Sequence, residues 1–488
     1  MQITNFKNLA KNSLRQKALE IAEAGYEAIE IEKVVSRKIK FQNGKLFIKS
    51  AMTRHSVEAC SEFDLNVYKR VSLIGVGKGS ALASATLAKI LGDKLIGGIA
   101  LDVKYQEVGL PKKYSGIPTS QKLEFLVGTH PLPSEQNIKA TQKIIKLVKN
   151  LKKDDLLITF ICGGGSALLC GSEKERKNSI LATKLLTQAG ANILELNTVR
   201  KHLSLVKAGG LAKSAYPANI ISLIVSDVLG NDLSIVASGP TVFDKTTKKD
   251  AERIWRKYLN MGTSDVPNIN GDNFRTSDVQ KNLRLSASIS ALIRALRETP
   301  KNKKYFKKVK NILFLSNREP ILAMAGKAKE LGFKPKIYSY ALKGEARNAL
   351  SSLIKTVPRV ERLAVLAGGE TVVKLKVKSS KLKVQKLGKG GRNMEAVLGT
   401  LTKLIQNSKF KIQNYALLSV ASDGRDNTEA AGAIGDILTL QKAQKLKLNP
   451  QEFLENHNSF NFFKKTGDLI FAEQKCFNVA DLMIVLKE

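Results

Sequence analysis

The sequence has very few of the residues that bind zinc or build disulfide frameworks. Its 488 residues include only four cysteines and four histidines, and their spacing matches neither a zinc site nor a dense set of disulfides. Aromatic side chains make up only 6% of the chain, so stacking platforms for single-stranded nucleic acid are not evident. The composition therefore argues against a zinc protein and against a disulfide-stabilised secreted domain.

Long apolar segments are also missing. The N-terminus has neither the apolar core nor the small-residue cleavage site of a secretory signal. The least polar stretch, Leu156–Cys170, is shorter than the roughly 20 residues that a membrane span needs. Because reduced thiols are the simplest state of so few cysteines, we expect a cytoplasmic protein with no membrane partner.

Acidic residues are scarce relative to basic ones. The chain has 80 Lys and Arg against 43 Asp and Glu, which gives a net charge of +37. Such a charge would attract phosphates or nucleic acid. The lysines are spread along the chain rather than gathered into one arm, which favours an ordinary solvated surface. We expect no nucleic-acid partner, although a basic nucleic-acid-binding protein stays open as an alternative.

Apolar runs alternate with helical patterns along the chain. Val71–Val76, Leu156–Ile161 and Ile220–Val225 are continuous apolar segments, which suit strands that are buried on both faces. Each is followed by a glycine or acidic turn. The alternation predicts an α/β protein with an N-terminal doubly wound, Rossmann-like parallel sheet and a C-terminal mixed α/β domain. In such folds we expect the active site in the cleft between the domains.

The length of the chain predicts two domains, because single cores rarely grow beyond roughly 250–300 residues. A stretch dominated by Asn, Asp, Ser and Gly, in which apolar periodicity fades, is the best linker. We therefore predict domains at residues 1–265 and 289–488 with a linker at 266–288. The sequence leaves open whether the protein is a monomer or a homodimer.

Two glycine turns between a strand and a helix could bind an anion. Gly75–Gly79 includes Lys78 as a mobile cation, and Gly163–Ser166 follows another apolar run. Glycine lets backbone N–H groups approach a ligand at the positive end of the helix dipole. Neither turn matches a Walker A loop or a dinucleotide fingerprint. In either turn, the glycines could equally serve only the close packing of strand and helix.

Charged side chains follow other strands. Asp227 comes directly after an apolar run, where it could hold Mg²⁺, accept a hydroxyl proton or simply form an Asx turn. Arg392 lies in Gly388–Glu395 ahead of a helix, where its guanidinium is either free to grip a phosphate or carboxylate or merely solvated. Gly368–Thr371 and Ser422–Gly424 are further glycine and acid turns after apolar strands.

This inventory has anion-binding turns, cations and acids at strand ends, but no Ser–His or Cys–His pairing. Phosphoryl transfer depends mainly on positioning, cations and a metal ion rather than on covalent chemistry of the protein. The inventory therefore suits a kinase.

The motifs resemble, in order, those of the glycerate 2-kinases that carry a MOFRL-type C-terminal part. The segments that carry the resemblance are Thr129–Pro133, Cys162–Leu169, Asn197–Ser204, Ser226–Ser234, Ala237–Thr241, Gly344–Arg347, Gly368–Thr371, Gly390–Asn393 and Ser422–Gly424. The resemblance covers nearly the whole chain from about Leu14 onward. A long ordered series of this kind is far more specific than any single glycine turn.

The resemblance implies ATP- and Mg²⁺-dependent phosphorylation of D-glycerate to 2-phosphoglycerate. It implies that Lys78 and Arg392 neutralise phosphate and carboxylate charge. Asp227 would orient or deprotonate the attacking hydroxyl, or hold the metal ion together with Asp232. The residues expected to bind substrate or nucleotide are Gly77, His130, Gly163, Gly164, Gly165, Ser166, Asn197, Arg200, Lys201, Gly369, Glu370, Asn393 and Asp423.

The sequence departs from the family pattern at three places. Cys162 stands where the family usually has Ser, Asn231 replaces the first Asp of a pair, and Ala472–Phe477 replaces a turn rich in Thr and Gly. The last change puts in doubt how the C-terminal loop contacts a ligand. A hydroxypyruvate reductase-like oxidoreductase is the alternative among enzymes, because the expected fold resembles a dinucleotide-binding one.

Overall fold

A computed structural model describes residues 1–52, 58–103, 123–264, 288–355, 362–374, 388–406 and 414–488. Its strands are β1 (Ile39–Gln42), β2 (Lys45–Lys49), β3 (Cys60–Asp64), β4 (Arg70–Val76), β5 (Leu95–Val103), β6 (Leu123–Gly128), β7 (Asp155–Ile161), β8 (Asn219–Val225), β9 (Val309–Leu315), β10 (Lys334–Leu342), β11 (Leu363–Gly369), β12 (Tyr415–Ala421), β13 (Gly432–Gly435), β14 (Leu469–Ile470) and β15 (Asp481–Lys487).

The α-helices alternate with these strands. They are α1 (Phe6–Leu9), α2 (Ser13–Ala28), α3 (Ile31–Lys38), α4 (Ser80–Leu91), α5 (Glu135–Lys149), α6 (Gly165–Leu168), α7 (Glu173–Gln188), α8 (Ile193–His202), α9 (Gly210–Ala215), α10 (Lys248–Ser264), the described part of α11 (288–295), α12 (Arg318–Glu330), α13 (Ala349–Ile354), α14 (Arg392–Gln406), α15 (Ile437–Lys445), α16 (Pro450–Glu455) and α17 (Ser459–Thr466). Within the described ranges, none of these helices combines the length and the apolar character needed to cross a membrane.

The first sheet has six strands in the order β6-β5-β4-β7-β8-β9, and every neighbouring pair is parallel. Side chains of β4 alternate between two cores: Val71 and Leu73 pack on one face, Ile74 and Val76 on the other. A sheet buried on both faces needs apolar side chains at successive positions, which explains the unbroken apolar runs. The predicted doubly wound parallel sheet is confirmed.

The second sheet has the order β10-β11-β15-β12-β13-β14. Only β10 and β11 pair in parallel, and the other described pairs are antiparallel, so the sheet is mixed as predicted. The last strand, β15, lies inside this sheet between β11 and β12. Its residues from Asp481 to Leu486 are buried, because helices α2 and α12 cover one face and α13 and α14 the other.

The N-terminal helix α2 is anchored to the second sheet. Arg15 is fully buried, and its Nε and Nη2 donate to the carboxylate of Asp436 at 2.8 and 2.7 Å. Its Nη1 donates to Asp468 at 2.8 Å. Near the end of the helix, the Tyr26 hydroxyl donates to the carbonyl of Ala421 at 2.8 Å. The chain then forms the small antiparallel sheet β1-β2-β3 before it enters the first large sheet.

The two large sheets do not divide at the predicted linker. Residues 266–287 of that linker lie outside the described ranges, so the domain bounds themselves stay a prediction. Strand β9, however, follows the linker and is an edge strand of the first sheet, while α2 precedes the first sheet and packs on the second. An apolar periodicity predicts a strand or a helix, but it does not identify the sheet that the element joins.

Candidate active site

Three of the turns singled out in the sequence lie side by side. Lys78 follows β4, Gly163 follows β7 and Asp227 follows β8, and these strands are neighbours in the parallel sheet. All three turns therefore leave the sheet at its carboxyl edge, where open α/β sheets bind ligands. The structure places Lys78 and Asp227 on either side of the glycine turn, as the order of strands and turns predicts.

The second sheet faces this edge with carboxylates. The Nζ of Lys78 donates to Oδ2 of Asp423 at 2.7 Å, and Asp423 lies just beyond the end of β12. The Nδ2 of Asn478 approaches Oδ2 of Asp227 at 3.5 Å from the loop that precedes β15. These two contacts cross from one sheet to the other. Because the Lys78 side chain keeps 27% of its surface exposed, it can exchange Asp423 for an anionic ligand.

The glycine turn after β7 has no room for side chains. A Cβ on Gly163 would collide with the Asp227 carboxylate. Gly164 has a φ of +83°, and a Cβ there would lie 3.3 Å from Cδ2 of His130 and 3.4 Å from Cγ of Lys78. The backbone of this turn is thus in direct contact with the predicted catalytic side chains. Beside it, the Ser166 hydroxyl is 2.8 Å from that of Ser238.

We expect Gly164→Val to lower kcat/KM by more than tenfold, because the new side chain would fill space beside His130 and Lys78. The matched control is Gly190→Val. Gly190 has a similar φ of +79°, but among the described residues no heavy atom lies within 4 Å of its Cβ position. Both variants should lose roughly 1–2 kcal/mol of stability from the left-handed backbone. Equal activity of the two variants in steady-state assays would show that this turn is not part of the active site.

Three other glycines of the predicted site are explained by packing. A Cβ on Gly77 would run into the backbone of Cys162, one on Gly165 would lie 2.6 Å from the Cβ of Ala237, and one on Gly369 would meet the backbone of β10. These contacts require a glycine whether or not a ligand binds. The role of Gly77, Gly165 and Gly369 as ligand contacts therefore stays a prediction.

The end of α4 that a phosphate would approach is already occupied by a carboxylate. Asp102, near the end of β5, accepts hydrogen bonds from the backbone N–H groups of Gly79 and Ala81 at 3.3 and 3.0 Å. In dinucleotide-binding folds the pyrophosphate takes this position at the first helix. The backbone N–H groups of Gly79 and Ala81 therefore bind Asp102, not the anionic ligand that the sequence predicted. The Gly75–Gly79 turn contributes only the side chain of Lys78 to the cleft.

Asp227 is a half-buried carboxylate with an unusual proton affinity. Burial and the nearby Glu370 carboxylate together raise the pKa of Asp227 to about 6, against the opposing charge of Lys78. At neutral pH the side chain is therefore ionised but more basic than an ordinary aspartate. This combination suits a group that accepts a proton from a hydroxyl.

Asp232, the second predicted metal ligand, is engaged locally in its own loop. Its side chain is exposed, and its Oδ1 accepts from the backbone N–H of Ser234 at 2.9 Å, as in an Asx turn. Within the described part of the chain, no three His, Cys, Asp or Glu side chains cluster closely enough to hold a metal ion by themselves. Among the described carboxylates, Glu370 has the largest effect on the pKa of Asp227, and a metal role for Asp232 stays a prediction.

Arg392 begins α14 and reaches the same cleft, but its guanidinium is not free. Its Nε and Nη2 donate to the two carboxylate oxygens of Asp481 at 2.6 and 3.1 Å, and its Nη1 donates to Glu370 at 2.7 Å. Burial alone would lower the pKa of Arg392, but the charge and hydrogen bonds of Asp481 raise it above its ordinary value. The expectation of an unpaired guanidinium is wrong, and Asp481 fixes its orientation instead.

Asn393 is a fully buried neighbour that holds two acids in place. Its Nδ2 donates to Asp481 at 2.9 Å and to Asp426 at 3.3 Å. Asp426 in turn accepts from the backbone N–H groups of Asn393 and Met394, which caps the start of α14. Burial and the charge of Asp481 raise the pKa of Asp426 to about 7. Asn393 therefore supports the base of the cleft rather than facing into it.

The residues predicted on α8 divide between two faces of the helix. Lys201 is buried against Asp244, with Nζ–Oδ1 at 3.2 Å. Arg200 lies near His130, an exposed residue whose pKa is lowered by the protein atoms around its ring and by the charges of Lys78 and Arg200. Asn197 lies one turn before Arg200 on the same face. Arg200 thus acts on His130, Asn197 shares its helix face, and Lys201 is directed to Asp244 instead.

Sequence reasoning missed four polar residues that shape the cleft: Asp102, Asp426, Asn478 and Asp481. Asp481 begins β15, an antiparallel strand, so its position depends on a strand direction that the sequence does not reveal. Asn478 and Asp481 belong to a segment noted only because an atypical turn precedes it. An acid and an amide directly before the last apolar strand were the available signal.

Two sheets that meet along edges lined with cations and carboxylates define an α/β enzyme with a cleft suited to anionic substrates. Residues 17–267 match a family described as a domain of unknown function, DUF4147, and residues 363–481 match the MOFRL family. The D-glycerate 2-kinase of Thermotoga maritima is 32% identical over 86% of this chain and 90% of its own length. A protein of Agrobacterium vitis, provisionally named a hydroxypyruvate reductase, is 32% identical over 86% of this chain and 87% of its own length.

The fold is also similar to that of a solved relative. The crystal structure of a glycerate kinase from Thermotoga maritima superposes with a TM-score of 0.72 and 30% sequence identity, covering 98% of this chain and 100% of that one. The chain therefore belongs to the family of glycerate kinases that combine DUF4147 and MOFRL regions.

Proposed function

We propose that this protein is an ATP-dependent D-glycerate 2-kinase, which forms 2-phosphoglycerate and ADP. The observation that supports the assignment best is the meeting of Lys78, Asp227 and Arg392 with Asp423 and Glu370 where the two sheets face each other. Two cations and a basic carboxylate are the groups that phosphoryl transfer to a hydroxyl needs. We further propose a cytoplasmic monomer or homodimer without nucleic-acid or membrane partners.

Each side chain has a distinct part in the proposed reaction. Asp227 accepts the proton of the attacking hydroxyl, which its raised basicity favours. Lys78 acts as a point charge on the phosphates after it leaves Asp423. Asp481 holds one edge of the Arg392 guanidinium, so its orientation is set before the ligand arrives. Nη1, which donates to the exposed Glu370, would exchange that carboxylate for the ligand. The charge that develops on the transferred group is thus met by cations in fixed positions.

The carboxylates of the cleft also fit a magnesium ion. Mg²⁺ is bound in proteins by one or two carboxylates together with water and substrate phosphates. Among the described residues, the one side-chain hydrogen bond to Asp227 comes from Asn478 at 3.5 Å, which leaves lone pairs open. Glu370 is the charged group that most affects the pKa of Asp227. Glu370 would hold the ion beside Asp227, whose carboxylate stays available to the hydroxyl proton. When bound, magnesium supplies neutralising charge to the phosphate oxygens.

The direct test is an assay of ADP release with ATP, Mg²⁺ and a panel of small hydroxy acids. We expect D-glycerate to be the best acceptor, and phosphorus NMR of the product should show the phosphate on the 2-hydroxyl. Product with the phosphate on the 3-hydroxyl would retain the kinase but refute the proposed regiochemistry. Release of ADP without dependence on any hydroxy acid would refute the kinase.

The provisional name of some relatives keeps a reductase as the second candidate. Asp102 argues against it, because its carboxylate takes the N–H groups of Gly79 and Ala81 that a dinucleotide pyrophosphate would use. We expect no oxidation of NADH or NADPH with hydroxypyruvate above the rate without enzyme. Measurable turnover in that assay would favour the reductase.

The activity should depend on pH through Asp227. Because the pKa of Asp227 is raised to about 6, the base is protonated and inactive below that pH and ionised above it. We expect kcat/KM for D-glycerate, measured at saturating ATP, to rise about tenfold per pH unit up to pH 6 and then to level off. The rise of kcat/KM up to pH 6 should vanish in Asp227→Asn. An unchanged rise in that variant would show that another group titrates.

A further inference from the structure

Arg200 is a half-buried arginine that forms no ion pair within the described ranges. Its Nε is buried and has no hydrogen-bond partner in the part of the chain that the structure describes. Burial lowers the pKa of its guanidinium against the opposing charge of Glu175. By contrast, Arg15, Arg70 and Arg392 each donate to a buried carboxylate. A buried donor without an acceptor costs free energy. An arginine kept in this state has a binding capacity that the folded chain itself does not use.

The charge of Arg200 is felt at one end of the cleft. Its charge acts on His130, together with the charge of Lys78. The imidazole of His130 covers the glycine turn, since its Cδ2 lies 3.3 Å from the Cβ position of Gly164. Asn197 lies on the same face of α8, one turn earlier. His130 thus lies beside the turn and within the field of Arg200, and Asn197 and Arg200 share one face of α8.

The chemistry of these residues fits one carboxylate and neighbouring hydroxyl groups. Arg200 is their permanent cation, and the planar guanidinium matches the two oxygens of a carboxylate. His130 is uncharged at neutral pH because its pKa is about 4, so its ring nitrogens and the Asn197 amide can bond hydroxyl groups. A triphosphate carries several charges and is better met by Lys78 and Arg392 farther along the cleft.

We propose that Arg200 binds the carboxylate of the acceptor and thereby makes the enzyme select hydroxy acids over neutral polyols. The inference rests on the proposed kinase function and assigns one end of its cleft to the acid. The acceptor's hydroxyl groups would then lie between His130 and Asp227, where one of them can lose its proton to the Asp227 carboxylate as its oxygen attacks the γ-phosphorus of ATP and ADP leaves.

The test compares D-glycerate with glycerol, which has hydroxyl groups but no carboxylate, in the wild-type enzyme and in Arg200→Met. We expect the dissociation constant of D-glycerate, measured by calorimetry, and its KM to rise about a hundredfold in the variant. The KM for ATP should change less than threefold, and the weak binding of glycerol should not worsen. Arg200→Lys keeps the charge without the planar fork and should recover part of the lost affinity.

The matched control is Arg176→Met on the adjacent helix α7, where Arg176 pairs with Glu173 at the surface. It removes the same charge from the protein and should leave D-glycerate affinity unchanged. The melting temperature of Arg200→Met should not fall, because burial disfavours the charged guanidinium and, among the described residues, it has no ion pair to lose. Unchanged D-glycerate affinity in Arg200→Met, or equal losses for D-glycerate and ATP, would overturn the inference while the kinase stands. A wild-type enzyme that neither binds nor phosphorylates D-glycerate would overturn both.

Discussion

Asp227→Asn should lower kcat for D-glycerate phosphorylation by about a thousandfold with little change in KM. The amide keeps the size and shape of the side chain but cannot accept the hydroxyl proton, and losses of roughly 10²–10⁴ are typical when a general base is removed. The variant should be at least as stable as the wild type. Because burial raises the pKa of Asp227, the folded protein holds the ionised form at a cost that the neutral amide does not carry.

Steady-state kinetics and thermal melting of the same preparations test this expectation. Asp232→Asn is the matched control. Asp232 lies five residues further along the loop but is exposed, and its carboxylate accepts a hydrogen bond from the Ser234 N–H. We expect less than a threefold change in that variant. A comparable loss in both variants would return Asp232 to the metal site, whereas full activity of Asp227→Asn would exclude it as the base.

Arg392→Ala should lower kcat by several hundredfold and should also destabilise the protein. Removal of a preorganised charge at the reacting group costs about 3–4 kcal/mol in the transition state. In addition, Asp481 is fully buried and would lose both hydrogen bonds from the guanidinium. Breaking one side of such a pair costs about 2 kcal/mol or more of stability. Kinetics and chemical denaturation on the same samples should show both effects.

Two further variants separate the catalytic effect from the structural one. Arg392→Lys keeps the positive charge near Asp481 but loses the fork, so it should retain most of the stability and still lose activity. Arg70→Ala breaks a similar pair with buried Asp155 at the opposite edge of the first sheet. It should cost stability while leaving kcat unchanged. Wild-type turnover in Arg392→Lys would show that only the charge matters, and wild-type turnover in Arg392→Ala would exclude the residue from catalysis.

The sequence predicts one half of the cleft well for a simple geometric reason. Parallel strands all end at one edge, so side chains directly after β4, β7 and β8 must come together if those strands are neighbours. Lys78, Gly163 and Asp227 could therefore be grouped from the order of strands and turns alone. The family resemblance then indicated that Arg392 joins them from the C-terminal part of the chain.

The other half of the cleft depends on contacts that periodicity cannot predict. Asp481 lies at the start of a strand that runs against its neighbours, and Asp423 lies at the end of one, so the two acids meet only because β15 is antiparallel to β12. The engagement of Arg392 by Asp481 follows from that arrangement. Similarly, nothing in the pattern of α2 or β9 identifies the sheet on which each packs.

The anchoring of α2 by Arg15 changes what a cut in the chain would do. The N-terminal helix is held by Asp436 and Asp468, and β9, beyond residue 288, completes the sheet built mainly from earlier residues. Each half of the polypeptide thus carries an element that the other half's sheet requires. Two fragments separated between residues 265 and 287 should remain bound to each other after cleavage, and co-expressed fragments should restore activity by complementation where neither is active alone.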